Sequence, residues 1–204
     1  IAAGDPGSVR PRDADPSDPG DWEEPPAFAE FARSSWHGTH VAGTVAAVTN
    51  NASGLAGTAF NARVMPVRVL GTGGGSFLDI LEAIVWASGG TVPGVPDLAP
   101  GDAADVVNLS LGFASCHPLI QAAVDSAVSR GTTVVVSAGN SNYDASFFVP
   151  ANCANVVTVA SSDSAGARSG FSNFGPSIEI TAPGSMIAST LNSGETVPVA
   201  PNYV

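Results

Sequence analysis

Apolar residues recur along this chain with two different periods from residue 37 onward. Three segments carry them at three- and four-residue spacing, which predicts helices over 37–49, 76–87 and 117–131. Short apolar runs predict strands over 62–70, 105–111, 132–138, 155–161 and 178–181, and the run at 105–111 is typical of a strand covered on both faces. Because strands and helices alternate, the strands should be parallel and joined by helical crossovers. The pattern therefore predicts an α/β fold with a doubly wound, mainly parallel sheet and helices on both faces.

The beginning of the chain follows neither period. Residues 1–35 are rich in proline, glycine and aspartate, which predicts an acidic loop region. A chain of 204 residues can bury one sizeable core, so the sequence predicts a single domain over 1–204. In sheets of this class, functional groups gather at the carboxyl ends of the strands.

Charge limits the partners that such a domain could bind. The chain has 7 Lys and Arg against 18 Asp and Glu, a formal net charge of −11. Nucleic acid and an anionic membrane surface both require a basic face, so neither is an expected partner. No apolar run approaches membrane-spanning length either.

Two of the three histidines, His37 and His40, lie in the segment "SSWHGTHVAG" at residues 34–43. Zinc-binding helices space their histidines four apart with an intervening glutamate, and "HGTH" has neither feature, so no metal is expected there. His37 opens the predicted helix, where the helix dipole disfavours protonation, and the nearby glycines leave room for another group to approach. His37 is therefore a candidate general base, with a pair of structural histidines as the alternative.

A second candidate group follows the strand predicted over 132–138. The segment "VVVSAGN" ends in Asn140, whose side-chain amide can donate N–H groups into a cleft, as stabilisation of an oxyanion requires. A simple asparagine turn is the alternative. The glycine run "GTGGGS" lacks the Lys-Ser/Thr of a phosphate-binding loop, but its backbone could accept an extended peptide.

Several stretches in a fixed order resemble the subtilisin-like serine proteases, the subtilases. Within residues 36–191 they are "HGTHVAGTVAA", "GLAGTA", "VMPVRVLG", "VVNLSLG", "VVVSAGN", "FSNFGPSIEITAPG" and "IASTL". The loops are most similar to those of secreted bacterial extracellular proteases. The resemblance implies a secreted serine endopeptidase that hydrolyses peptide bonds by a Ser-His-Asp mechanism. Its partners would be a protein or peptide substrate and a propeptide or inhibitor.

The resemblance also implies roles for particular residues. His37 matches the catalytic base, His40 a structural partner inside the helix, and Asn140 the side-chain oxyanion donor. The substrate would lie between two backbone edges, which match Gly73, Gly74, Gly75 and Ser110, Leu111, Gly112. Phe148 falls near the end of the specificity pocket, where an inward-pointing ring would favour small substrate side chains.

The two cysteines and several oxygen-bearing side chains have structural roles in the family. Close relatives bond the cysteines that match Cys116 and Cys153, whereas the residues alone leave two buried thiols equally open. Calcium is common in subtilases, and the acidic loop offers closely spaced carboxylates, as an alternative to a merely solvated loop. The candidate Ca²⁺ ligands are Asp13, Asp15, Asp18, Asp21 and, in a loop that resembles a family calcium loop, Asn50.

Two parts of the family pattern have no match in this chain. The family acid ends an early apolar strand in a pattern like V-D-T-G, and Asp5 in "AAGDPG" has different neighbours. The family nucleophile lies in a G-T-S-M-A helix start, and no serine here has that context. We therefore expect a subtilase domain that is truncated at both ends and inactive by itself. Without its first strand, the central sheet should expose an unpaired edge and make the chain poorly soluble.

Two other interpretations of the missing groups stay open. The chain could be a non-catalytic subtilase-like module, or pseudoprotease, that binds peptides along its backbone edges. Alternatively, a separate chain could supply the serine. A fluorophosphonate probe, which labels an activated serine, distinguishes these interpretations from truncation.

Overall fold

The computed structural model describes residues 17–23, 32–113 and 118–199. Within this part of the chain there are three α-helices and four strands, together with a short 3₁₀ turn at Ala145–Phe147. The helices are α1 (His37–Ala46), α2 (Phe77–Ala87) and α3 (Pro118–Ser129). The strands are β1 (Val106–Leu109), β2 (Thr133–Ser137), β3 (Val157–Ser162) and β4 (Ile180–Pro183).

The four strands form one parallel sheet in the order β1-β2-β3-β4. β2 lies inside this sheet, and its Val134 and Val136 are each only 1% exposed. Helix α3 packs against β2 and contributes Ile120 and Val124, which are fully buried. Burial of each such branched side chain contributes about 1.5–3 kcal/mol, so this strand and helix form the centre of the core.

The described residues fall into two compact units. The first unit contains α1, runs up to Ile80 and resumes at Ala188. The second unit is Leu81–Ile187, and it contains the whole sheet and α3. Helix α2 begins in the first unit and continues into the second. The single domain over 1–204 stays a prediction.

The structure confirms the α/β class, because the sheet is parallel and the connection from β1 to β2 runs through helix α3. The connections from β2 to β3 and from β3 to β4 contain no α-helix. The boundaries differ by a few residues. Helix α1 ends at Ala46, three residues before the predicted end, and β4 begins two residues later than predicted. Differences of this size are common where an element frays or passes into a turn.

Two strand predictions are wrong in detail. Residues 62–70 form no continuous strand and have only an isolated bridge at Arg68. Pro66, in the middle of the segment, has no N–H to donate to a neighbouring strand.

β1 is not covered on both faces: Val106 is 55% exposed, and only Leu109 is buried. Burial alternates along β1: Val106 and Asn108, which share one face, are exposed, whereas Val107 and Leu109 on the other face are half-buried and buried. In the described structure β1 is also an edge strand of the sheet.

In the described part of the chain, no helix is long and apolar enough to cross a lipid bilayer.

The exposed edge of β1 predicts that the isolated chain associates with itself through strand pairing. Val106→Lys places a charge on this edge and should lower the associated fraction several-fold. Sedimentation velocity at matched protein concentrations measures that fraction. The control is Val128→Lys, which adds the same charge to an exposed position of α3 and leaves the edge unchanged. Equal association of both variants would show that the β1 edge is not the contact.

Candidate functional site

His37 is the first residue of α1, and its side chain is exposed. The preceding residue, Trp36, adopts a left-handed backbone with φ 48° and ψ 29°. This conformation costs a non-glycine residue about 1–2 kcal/mol. The indole offsets the cost, because Trp36 is 97% buried and its Nε1 donates to the carbonyl oxygen of Gly194 at 2.7 Å. The entry of the chain into α1 is therefore set by a buried side chain next to His37.

The carboxylate of Asp21 holds Ser35, two residues before the start of α1. Both oxygens of Asp21 accept hydrogen bonds from Ser35, one from its backbone N–H and one from its hydroxyl, each at 2.6 Å. The Ser35 hydroxyl oxygen in turn accepts the backbone N–H of His37 at 3.3 Å. Within the described residues, no side chain bonds to the His37 imidazole, so both ring nitrogens are open to other groups.

Residues 189–196, here called the clasp, hold α1 through side-chain hydroxyls. The Ser189 hydroxyl donates to the carbonyl oxygen of His40 at 2.6 Å, and the Thr190 hydroxyl donates to that of Thr39 at 2.8 Å. Gly43 makes this approach possible, because a Cβ at that position would overlap the Thr190 hydroxyl. The side chains of the clasp therefore occupy the space that a side chain at residue 43 would need.

The clasp also bonds to the residues before α1. The backbone N–H of Ser34 donates to the carbonyl oxygen of Glu195 at 2.8 Å, and its hydroxyl donates to that of Thr196 at 2.7 Å. Ser34 is buried. An ion pair between Arg33 and Glu195 at 3.0 Å is well exposed on both sides and contributes little. The neutral hydrogen bonds, and not this ion pair, hold the clasp beside Trp36 and α1.

Asn140 lies in the second unit, in the turn that follows β2. The chain leaves the sheet at the buried Ala138, whose backbone N–H still donates to the carbonyl oxygen of Val159 at 3.0 Å. The Asn140 side chain is exposed, and no described residue bonds to its carboxamide. Its two N–H donors are therefore available to a bound molecule.

The turn that carries Asn140 is held by a buried asparagine, Asn173. Its Oδ1 accepts the backbone N–H groups of Ser141 at 2.9 Å and Tyr143 at 3.1 Å. Its Nδ2 donates to the carbonyl oxygen of Ala138 at 2.8 Å. Asn173 itself has no solvent exposure. The two ends of the turn are thus bonded to the same carboxamide.

One predicted substrate edge and the predicted pocket residue come together in this unit. Residues 110–112 leave β1, and the next residue, Phe113, exchanges two backbone hydrogen bonds with Val149 at 2.9 and 3.1 Å. This pairing brings the segment beside Phe148. The Phe148 ring lies edge-on to Tyr143, with 6.4 Å between centroids, and close to Gly139 in the Asn140 turn. Phe148 therefore lies between the Ser110–Gly112 segment on one side and the turn that carries Asn140 on the other.

The other predicted edge lies in the first unit. Gly71 and Gly74 bond to each other through two backbone hydrogen bonds of 2.8 and 3.0 Å, which closes a tight turn. The N–H of Gly74 is therefore already donated, while Gly73 and Gly75 are exposed and have no such bond. Thr72 extends this turn toward Trp22, donating its hydroxyl to the carbonyl oxygen at 3.4 Å.

Next to the Asn140 turn, Asp144 carries the one resolved electrostatic change of the site. The backbone N–H of Ser146 donates to its carboxylate at 2.9 Å, and this bond, with a further one from the Ser146 side chain, lowers the pKa of Asp144. Asp144 caps the 3₁₀ turn that leads to Phe148. The carboxylate thus stays charged at neutral pH and holds the start of this turn.

The predicted calcium and disulfide residues lie only partly within the described chain. Asp13, Asp15 and Cys116 fall outside it, so a bridge from Cys116 to the buried Cys153 stays a prediction. Across residues 17–23, 32–113 and 118–199, no three acidic, histidine or cysteine side chains converge on a metal-sized site. The Asp18 carboxylate accepts the backbone N–H of Gly20 at 2.9 Å, and calcium binding in the acidic loop stays a prediction.

Comparison with known proteins shows which family this chain belongs to. The sequence profile of the subtilase family, peptidase S8, matches residues 7–204. The chain belongs to the subtilase family. It is 58% identical over 196 residues to an extracellular protease of Xanthomonas campestris pv. campestris, covering 94% of this chain and 33% of that protein. It is 44% identical over 200 residues to an extracellular basic protease of Dichelobacter nodosus, with the same two shares.

A solved subtilase-like structure also matches this one. A protease from Pseudoalteromonas arctica PAMC 21717 superimposes with a TM-score of 0.86 at 47% identity, covering 92% of this chain and 58% of that one. The subtilase chain described here spans about a third of the length of the curated relatives that it matches.

Sequence reasoning missed the residues that hold the Asn140 turn and helix α1 in place. Asn173, Ser189 and Thr190 lie in the stretches "FSNFGPSIEITAPG" and "IASTL", yet neither stretch suggested a role for them. A usable signal was present: each is a short polar residue among small or apolar ones, as a buried hydrogen-bonding group requires.

The tight packing of the clasp predicts opposite effects for two glycines of α1. Gly43→Ala should lower the free energy of unfolding by about 1–3 kcal/mol, because the added methyl group overlaps the Thr190 hydroxyl. Gly38→Ala has open space around it and should raise the same quantity by about 0.5–1 kcal/mol. Urea unfolding measures both.

A double variant tests the cause of this loss. Thr190→Ala in the Gly43→Ala background should restore part of the lost stability, because it removes the overlapping hydroxyl. If Thr190→Ala instead lowers the stability of the Gly43→Ala variant further, the overlap is not the reason for the loss.

Proposed function

We propose that this chain is part of a secreted serine endopeptidase that hydrolyses peptide bonds in proteins. His37 acts as the general base, and Asn140 stabilises the oxyanion of the tetrahedral intermediate. The names of its relatives, an extracellular protease and an extracellular basic protease, support both the activity and secretion. A propeptide or inhibitor would occupy the same site as an extended substrate.

In the proposed mechanism, His37 takes a proton from a serine hydroxyl as that oxygen attacks the substrate carbonyl. Negative charge then develops on the carbonyl oxygen. The Asn140 amide donates a hydrogen bond to it, and such a bond accelerates the reaction because it is stronger in the transition state than in the bound substrate. His37 finally returns the proton to the leaving amine.

The observation that carries this proposal is the open carboxamide of Asn140. An asparagine in an ordinary turn bonds its side chain to nearby backbone groups, as Asn51 does when it accepts the N–H of Ser53 at 3.1 Å. Asn140 makes no such bond within the described residues, although the backbone on both sides of it is held. A rigid turn that presents free donors to solvent favours oxyanion binding over a turn-forming role.

The proposed enzyme requires a nucleophilic serine and an acid that the sequence of this chain does not match. We infer that the complete protein supplies them and that residues 1–204 alone are inactive. Without the serine, His37 has no hydroxyl to activate, and without the acid its tautomer is not fixed. Phe148 beside the Ser110–Gly112 edge would restrict the pocket to small substrate side chains.

Two substitutions in the complete protein test the assigned roles. In subtilisin, a member of this family, loss of one oxyanion donor lowers kcat by about 10²–10³, and we expect the same order for Asn140→Ala. His37→Ala should lower kcat by about 10⁶, the order that loss of the catalytic histidine has in subtilisin. Steady-state hydrolysis of a denatured protein substrate measures both.

Asn142→Gly is the matched control, because residue 142 lies in the same turn and keeps its positive φ of 49° with glycine. A fluorophosphonate probe should label the complete protein and not residues 1–204. Labelling of residues 1–204, or full activity of the His37→Ala variant, would contradict the proposal. No labelling of the complete protein would favour a peptide-binding module instead.

We also propose that Ca²⁺ stabilises the loop that contains Asn50. Residues 48–56 surround an open cavity of about 300 Å³. The Thr49 hydroxyl is buried there and has no hydrogen-bond partner in the described structure, as an oxygen reserved for a cation would. The carboxylates of Asp18 and Asp21 already accept backbone N–H groups, which makes the acidic loop the weaker candidate.

Calcium binding predicts a shift in stability that depends on residue 50. Saturating Ca²⁺ at about 100 times its Kd should add about 2.7 kcal/mol to the free energy of unfolding of the complete protein. Asn50→Gly preserves the positive φ of 61° and should abolish the shift, whereas Asp18→Asn should leave it unchanged. Urea unfolding with calcium, with magnesium and with a chelator measures the effect. If Asp18→Asn abolishes the calcium-dependent shift in stability and Asn50→Gly leaves it unchanged, the ion binds in the acidic loop instead.

A further inference from the structure

Asn173 bonds to the Asn140 turn on both sides of residue 140. On the near side, its Nδ2 donates to the carbonyl oxygen of Ala138 at 2.8 Å, and its backbone N–H donates to that of Gly139 at 2.9 Å. On the far side, its Oδ1 accepts the N–H groups of Ser141 and Tyr143. Residue 140 is the one position between Ala138 and Ser141 that makes no bond with Asn173.

The chemistry of these partners requires an asparagine. Two N–H donors face one side of the carboxamide and a carbonyl oxygen faces the other, so only one orientation of the amide satisfies all three. An aspartate has no proton to donate to Ala138, and a leucine of similar size makes none of the bonds. Asn173 is fully buried, so water cannot replace a lost partner on its side.

Gly139 is adapted to the same contact. Its φ is +99°, and a Cβ at that position would lie 2.5 Å from the Nδ2 of Asn173. The carboxamide therefore approaches the turn backbone more closely than any other residue at 139 would allow. A turn with only ordinary structural requirements does not need this approach.

The segment around Asn173 also bonds to the turn through backbone groups. The N–H of Asn142 donates to the carbonyl oxygen of Phe171 at 2.8 Å, and the N–H of Phe174 donates to that of Tyr143 at 3.0 Å. These bonds hold the far side of the turn. The carboxamide of Asn173 is the side-chain group that connects this side to the end of β2.

We propose that Asn173 is a positioning residue for the reaction: it fixes the turn backbone so that the free Asn140 amide points at the developing oxyanion. The inference rests on the proposed function of Asn140. An oxyanion donor must lie about 2.7–3.1 Å from the charged oxygen, and a turn whose exposed side chain makes no bonds takes that precision from its neighbours. Loss of Asn173 therefore weakens the transition state and leaves substrate binding nearly unchanged.

The test is a double-mutant cycle in the complete protein. Asn173→Leu should lower kcat about 10- to 100-fold with KM within about twofold, because the oxyanion forms only after substrate binding. In an Asn140→Ala background the same substitution should lower kcat by less than about threefold, since no donor remains to be positioned. Asn173→Asp keeps the acceptor atoms, so its kcat should lie between that of Asn173→Leu and that of the unsubstituted protein.

Ser172→Ala is the matched control for a loss of stability. The Ser172 side chain is buried, accepts the N–H of Ser161 at 2.9 Å and donates to the backbone carbonyl oxygen of Asn173 at 3.0 Å. It makes no bond to residues 138–143 or to the Asn173 carboxamide, so its loss leaves the bonds to the Asn140 turn in place. This variant should have a lower Tm and a kcat within about twofold of the unsubstituted protein. Equal losses of kcat for Asn173→Leu in both backgrounds would overturn the positioning role.

A second measurement does not depend on how the variants fold. Hydrogen exchange in the unsubstituted protein should show slow exchange of the Ser141 and Tyr143 amides, because both donate to Asn173. Exchange as fast as in the exposed loop at 51–54 would contradict the inference. If Asn140→Ala alone leaves kcat unchanged, the proposed oxyanion role of Asn140 fails. If Asn140→Ala and Asn173→Leu each lower kcat and their effects simply add, only the positioning role of Asn173 fails.

Discussion

The parallel pairing of β2 between β1 and β3 is the constraint on which the site in the second unit depends. It buries Val134 and Val136 against α3 and holds Ser137 at the end of the sheet. In register, Leu109 of β1 lies beside Val136 of β2, so both strands end at the same edge. The proposed oxyanion donor and one proposed substrate edge are therefore neighbours because of the sheet, before any loop contact is considered.

Side chains that bond to backbone carbonyl and N–H groups hold the turns and the helix start that carry the proposed catalytic residues. In the second unit, Asn173 holds the turn after β2. In the first unit, the hydroxyls of Ser189 and Thr190 hold the first turn of α1, and the indole of Trp36 holds the residue before His37. The proposed catalytic groups are exposed, whereas the groups that orient them are buried or half-buried and fully bonded. His37 and Asn140 are thus exposed to a substrate while the backbone that carries them is held in place.

The parts of the fold that the sequence predicted correctly depend on local burial. Helix α3 and strands β2 and β3 have periods that report which residues face the core, and all three form as expected. The strand at 62–70 failed although its residues are apolar, because Pro66 in its middle lacks the N–H that a ladder needs. The positioning bonds were missed for another reason: Ser189 bonds to His40 across 149 residues, and such pairs leave no local pattern. His37 and Asn140 were candidates from their positions at a helix start and a strand end, and the family resemblance then matched both to proposed catalytic roles.

The contact between Gly43 and Thr190 has a consequence for how this lineage can change over time. A methyl group at residue 43 would overlap the hydroxyl at residue 190, so alanine at residue 43 is costly while threonine stays at residue 190. The two positions should therefore change in a fixed order during evolution, residue 190 before residue 43. Homologues that carry alanine at the first position should already have replaced threonine at the second, and an alignment deep enough to resolve ancestors would record the sequence of those two events.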